Sequence, residues 1–149
     1  MLFLRLINQE HKNYYSHLNQ IKIIVHEADS NIRDILKYVL DEAGYDAIVL
    51  ADCDELLGLI DEFKPRVLLL DYIVSGIQCI KTCHEVKARF PHLPVIALSC
   101  NPKIGLVYYQ EGFDDYIAKP FDLDHFYDVL RTHTGVSKNT PYSMESQGF

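Results

Sequence analysis

Several polar residues in this sequence follow short apolar runs, where they could do chemistry together. Asp71 follows Val67, Leu68, Leu69 and Leu70. Ser99 follows Val95, Ile96, Ala97 and Leu98, and Lys119 follows Tyr116, Ile117 and Ala118. Glu27 and Asp29 follow the run that ends at His26. Acids, a hydroxyl and an ammonium brought to one cleft suit phosphoryl transfer. A carboxylate accepts the group, a divalent cation held by acids screens its oxygens, and Lys and Ser contact the rest. Such a reaction asks mainly for positioning and charge stabilisation. Each residue also has a plainer reading. Asp71 can be a helix cap, Glu27 a strand-end charge, Ser99 a turn residue, and Lys119 the partner of Asp71 in a structural ion pair.

The elements that position these residues alternate regularly. Four apolar residues before Asp71 leave no polar face, so they read as a strand buried on both sides. Further strands are expected over 21–26, 47–50, 95–98 and 116–118. The first helix starts at Asp29 or Ser30, with Ile32, Ile35, Leu36, Val39 and Leu40 on one face and Gly44 after its end. Others are expected over 54–63, 78–89 and 106–110, and a last one is capped by Asp122. Five strands alternating with five helices imply a parallel sheet covered on both faces, with right-handed crossovers. The strand ends then share one edge of the sheet, where open parallel sheets place their ligands.

The 149 residues suit one domain with a full-sized core. A net charge of −7 argues against nucleic acid as a partner. No apolar run is long enough to cross a bilayer, and the start at Met1 lacks the features of a signal peptide, so a cytoplasmic protein is expected. Cys53, Cys79, Cys83 and Cys100 form no Cys-x-x-Cys pair and read as free thiols rather than a metal site. Residues 1–20 fall outside the alternation and read as an N-terminal extension. Residues 135–149 read as a flexible tail.

The stretches Glu27 to Asp29 followed by Asn31-Ile-Arg33, Leu-Leu-Leu-Asp71, Pro94-Val-Ile-Ala-Leu-Ser99 and Gly112-Phe-Asp-Asp-Tyr-Ile-Ala-Lys-Pro-Phe121 occur in that order. Together they resemble a response-regulator receiver domain, the family of the chemotaxis regulator, over about 21–134. The resemblance implies a flavodoxin-like, doubly wound α/β fold: a five-stranded parallel sheet of order 2-1-3-4-5 with five helices. It implies a signalling domain in a two-component or phosphorelay pathway, not an enzyme beyond self-catalysed phosphorylation and dephosphorylation. Asp71 would accept a phosphoryl group from a histidine kinase or phosphotransfer protein. Lys119 would pair with the acceptor, Ser99 would be the switch hydroxyl and Tyr116 the switch aromatic. Mg2+ would be held by Glu27, Asp71 and the backbone carbonyl of Ile73. The output would pass by protein contact through the face of helix 4, strand 5 and helix 5, where Leu106, Val107, Tyr108 and Tyr109 exceed what a short helix buries. A downstream partner or a homodimer is expected there.

The chain departs from the family pattern in two places. The adjacent acid pair falls at Glu27 and Ala28, so its second member is missing, with Asp29 as the substitute nearest in sequence. After Asp71, Val74-Ser75 and Cys79 stand where the family has Met-Pro and a later Gly. These departures motivate a second reading, a pseudo-receiver that acts without phosphorylation. A flavodoxin-type redox protein is a third, but two acids after the first strand would repel a flavin phosphate. His26, His84 and His92 read as packed or solvated.

Overall fold

The computed structural model describes residues 20–73 and 76–135. The expectations for the N-terminal extension, the C-terminal tail and Val74-Ser75 therefore lie almost wholly outside the described residues. The strands are β1 (Lys22–His26), β2 (Asp46–Leu50), β3 (Val67–Tyr72), β4 (Val95–Ser99) and β5 (Asp115–Ala118). The helices are α1 (Ser30–Glu42), α2 (Leu56–Phe63), α3 (Ile77–Arg89), α4 (Ile104–Val107) and α5 (Leu123–Thr134). All strand pairs are parallel, in the order β2-β1-β3-β4-β5. This is the flavodoxin-like sheet expected from the sequence.

The apolar run in β3 splits between two cores because successive side chains alternate faces. Val67 and Leu69 pack with Ile23, Val25, Leu36, Phe126 and Leu130, under α1 and α5. Leu68 and Leu70 pack with Ile24, Ile60, Cys83, Val86 and Phe113, under α2 and α3. All four residues of that apolar run are 0% exposed, so each stabilises the fold by roughly 1.5–3 kcal/mol of apolar burial. Asp71 continues the alternation on the side of Val67 and Leu69.

Local signals set the helix ends. Asp29 caps α1, its Oδ1 accepting from the N–H groups of Asn31 and Ile32. Gly44, at φ +85°, supplies the left-handed residue after α1. Asp122 caps α5 by accepting from His125 N. Two helices differ from expectation. α2 begins at Leu56 rather than near Asp54, because Asp54 is held in a turn whose N–H donates to Asp52. α4 is the single turn Ile104–Val107 rather than 106–110. The Asn101 side chain accepts from Lys103 N and starts the turn early, and residues 108–112 then run out to Gly112 at φ +101°.

Candidate functional site

The ends of β1, β3 and β5 bring three charged side chains together. Lys119 Nζ donates to Asp71 Oδ1 at 2.7 Å and to Glu27 Oε2 at 3.0 Å. Glu27 is 1% exposed and Asp71 4%, so the cluster is almost wholly out of water. Backbone groups complete it. Ala28 N donates to Asp71 Oδ2 at 3.1 Å, and Asp29 N donates to Glu27 Oε1 at 3.1 Å. Each of the four carboxylate oxygens thus accepts one hydrogen bond. The β1–α1 turn that aims these N–H groups is pinned by Arg33. Its Nη1 donates to the carbonyls of Glu27 and Ala28 at 2.9 and 2.7 Å.

The two acids respond differently to one environment. For Asp71, burial alone would raise the pKa. The hydrogen bonds from Lys119 and Ala28 N outweigh burial and leave the carboxyl below its ordinary range. For Glu27, burial is again the largest influence, and with the Asp71 charge beside it the pKa stands above its ordinary range despite Lys119. Burial would lower the pKa of Lys119, but its two carboxylate partners hold it up. Asp71 is therefore the acid of the pair that ionises more readily. Two carboxylates facing one ammonium leave the cluster short of positive charge.

The other expected site residues make no hydrogen bond to these three side chains among the contacts described. Ser99 is 1% exposed and pairs with Tyr72 across β3 and β4. Its Oγ accepts from Asn101 N at 2.9 Å, and its carbonyl accepts from Lys119 N at 2.8 Å. Ser99 thus helps to set the backbone that carries Lys119. Tyr116 is half-buried against α4, its ring 5.1 Å from that of Tyr108. Gly105 makes room for it: a Cβ there would lie 2.9 Å from the Tyr116 hydroxyl. Asp29 does not join the cluster, since its side chain is committed to capping α1. The Ile73 carbonyl accepts from Gly76 N at 2.9 Å, within its own loop. Ala28, exposed at the mouth of the site, has no donor atom in its side chain.

Sequence reasoning missed two contacts near the site. Tyr72, the residue after Asp71, donates its hydroxyl to Glu111 Oε1 at 3.0 Å. That bond ties the end of β3 to the segment before β5. His26 lines a cavity of about 50 Å3 with Cys53, Asp71, Cys79 and Thr82, and burial lowers its pKa. His84 Nε2 lies 2.9 Å from the Glu111 carbonyl oxygen, and His92 is exposed. The four cysteines are free, with Cys79 and Cys83 buried, and burial pushes Cys83 up to about 12.

On the face of α4, β5 and α5, Val107 and Tyr108 pack against the core. Leu106 and Tyr109 are each 81% exposed. Among the described residues no helix is long and apolar enough to cross a membrane.

The family model described as "Response regulator receiver domain" matches residues 23–131. Among solved structures, NtrX from Brucella abortus in complex with ATP is 26% identical, with a TM-score of 0.67. The match covers 76% of this chain but only 27% of NtrX, so this chain spans about a quarter of that protein. The receiver domain of the Francisella response regulator 1452 is 25% identical, with a TM-score of 0.68 over 78% of this chain and 98% of that one. The receiver domain of the sensor histidine kinase PA1611 from Pseudomonas aeruginosa was solved with a magnesium ion coordinated in its active-site cleft. It is 21% identical with a TM-score of 0.69, over 78% of this chain and 99% of that one, a likeness of fold.

Proposed function

Because this chain belongs to the response regulator receiver domain family, we propose that Asp71 is its phosphoryl acceptor in a two-component or phosphorelay pathway. The observation that carries this reading is the ionised Asp71 carboxylate at the end of β3, held at 2.7 Å by Lys119. A phosphohistidine on a kinase or phosphotransfer partner is the donor. An Asp71 oxygen attacks phosphorus, the new O–P bond forms, and the N–P bond breaks. The imidazole leaves with the electron pair and takes up a proton. Lys119 then stabilises the phosphoryl oxygens in place of the lost carboxylate charge.

Ser99 and Tyr116 are proposed as the switch. Ser99 hydrogen-bonds the phosphoryl group, and Tyr116 changes its packing against Tyr108 and Gly105. The exposed Leu106 and Tyr109 make the α4–β5–α5 face the proposed contact surface for a downstream protein or a second copy.

The resemblance also implies Mg2+, but the donors present do not fit it. The oxygens of Glu27 and Asp71 each already accept a hydrogen bond, Asp29 caps α1, and the Ile73 carbonyl accepts from Gly76. Among the described residues no group of three or more His, Cys, Asp and Glu side chains could hold a metal ion. The same engagement of the acid oxygens favours a second reading, an interaction module that is never phosphorylated.

Intact-mass measurement after incubation with a small acyl phosphate or phosphoramidate, in EDTA and again in Mg2+, separates the two readings. A single phosphoryl adduct that disappears in Asp71→Asn supports the acceptor. No adduct at any donor concentration supports the module.

A further inference from the structure

We propose that this centre is closed to divalent cations, with the Lys119 ammonium as its permanent counter-charge and Ala28 as the residue that closes it. The proposal concerns the acceptor site described above but stands on its donor set alone. A hard cation such as Mg2+ takes only oxygen ligands in near-octahedral geometry and gives up water reluctantly, so it needs carboxylates that are free to approach it. Here the two buried carboxylates already share one cation, at 2.7 and 3.0 Å from Lys119 Nζ.

Ala28 supplies no ligand from its side chain. Its backbone N–H points at Asp71 Oδ2 from 3.1 Å, which puts the positive end of a dipole beside that oxygen. Its methyl group offers nothing to a metal. The neighbouring acid cannot take over, because Asp29 Oδ1 accepts from Asn31 N at 2.9 Å and Ile32 N at 3.1 Å. Moving Asp29 inward would uncap α1. The loop carbonyl of Ile73 is likewise engaged, with Gly76 N. Ala28 is exposed, and its nitrogen lies within hydrogen-bond reach of Asp71. A carboxylate at position 28 would therefore start beside the same cleft without displacing any core side chain.

Mn2+ is the probe, because its free aqua ion gives a sharp paramagnetic resonance signal that collapses on binding. The full chain is titrated as wild type, Ala28→Asp and Ala28→Asn. The wild type and Ala28→Asn are expected to leave the free-ion signal intact at about 1 mM Mn2+, while Ala28→Asp takes up one ion with a dissociation constant below about 1 mM. Mn2+ uptake by the wild type in that range overturns the proposal. So does an Ala28→Asp protein that folds, by circular dichroism, yet binds no better than wild type. The phosphoryl adduct is then measured in EDTA and in Mg2+. An adduct that needs Mg2+ overturns the closure while leaving Asp71 as acceptor. No adduct in either condition, with Mn2+ results as expected, overturns the acceptor reading alone.

Discussion

The Lys119 ammonium and the Asp71 carboxylate meet at 2.7 Å although 48 residues separate them in the chain. The same ammonium reaches Glu27, 92 residues away, at 3.0 Å. One side chain just after β5 thus joins the ends of three strands. Removing it leaves two carboxylates that are 1% and 4% exposed with no ammonium between them. Breaking a buried ion pair from one side costs about 3 kcal/mol or more.

Lys119→Met is therefore expected to lower stability by about 3 kcal/mol. The second substitution Glu27→Gln should recover part of that loss, because one of the stranded charges is gone. Urea unfolding of the two single variants and the double variant measures both effects. A loss below about 1 kcal/mol for Lys119→Met would show that the cluster relaxes into water.

The two acids should tilt stability in opposite directions with pH. Glu27 has its folded pKa raised above the ordinary glutamate value. Its contribution is complete below the unfolded pKa and is lost as pH rises through the folded one. Asp71 has its folded pKa lowered. Its contribution is present above the unfolded pKa and is lost as pH falls through the folded one. Glu27→Gln should remove the decline on the rising side, above the ordinary glutamate range. Asp71→Asn should remove the decline on the acid side, below the ordinary aspartate range. Urea midpoints across pH for both variants check the assignment, and an exchange of the two effects would reverse it.

Two glycines should respond oppositely to alanine. Gly76 stands at φ +74°, and a Cβ there would overlap the Tyr72 ring. The ring must swing aside and withdraw its hydroxyl from Glu111, so Gly76→Ala should destabilise by about 2 kcal/mol. Gly58 lies inside α2 with open space around its Cα, so Gly58→Ala should stabilise by about 0.5–1 kcal/mol. Thermal unfolding of both variants gives the two signs.

The exposed pair on the α4–β5–α5 face should matter for association and not for folding. Leu106 and Tyr109 are 81% exposed, so Leu106→Lys with Tyr109→Lys should change stability by less than about 0.5 kcal/mol. Sedimentation at rising concentration should show association in the wild type and a monomer in the variant. A wild type that stays monomeric throughout would remove self-association from the roles of this face.

Much of the site was legible because strand ends are local features. A run such as Val67 to Leu70 closed by Asp71 reads as a buried strand with a carboxylate at its edge, and parallel packing then gathers such edges. The first helix was expected to start at Asp29 or Ser30, and Asp29 caps it; the plainer reading of Lys119, a partner for Asp71, matches a contact that is present. The bond from Tyr72 to Glu111 was not legible, because it joins residues 39 apart that follow no shared periodicity. The early start of α4 was hidden for a similar reason. It depends on the Asn101 side chain accepting from Lys103 N, and the apolar run from Leu106 to Tyr109 drew the expected helix too late. Nor does sequence spacing tell that all four oxygens of Glu27 and Asp71 are already engaged, since two of their donors are backbone N–H groups in the β1–α1 turn.

Whether Asp71 accepts the phosphoryl group is tested most directly by locating the group on the chain. After incubation with a small phosphodonor, borohydride reduces an aspartyl phosphate to homoserine, and peptide mass spectrometry reads the modified position. Homoserine at position 71, absent without donor and absent in Asp71→Asn, is the predicted result. Full donor turnover with aspartate unchanged at position 71, or homoserine at another acid, would contradict it.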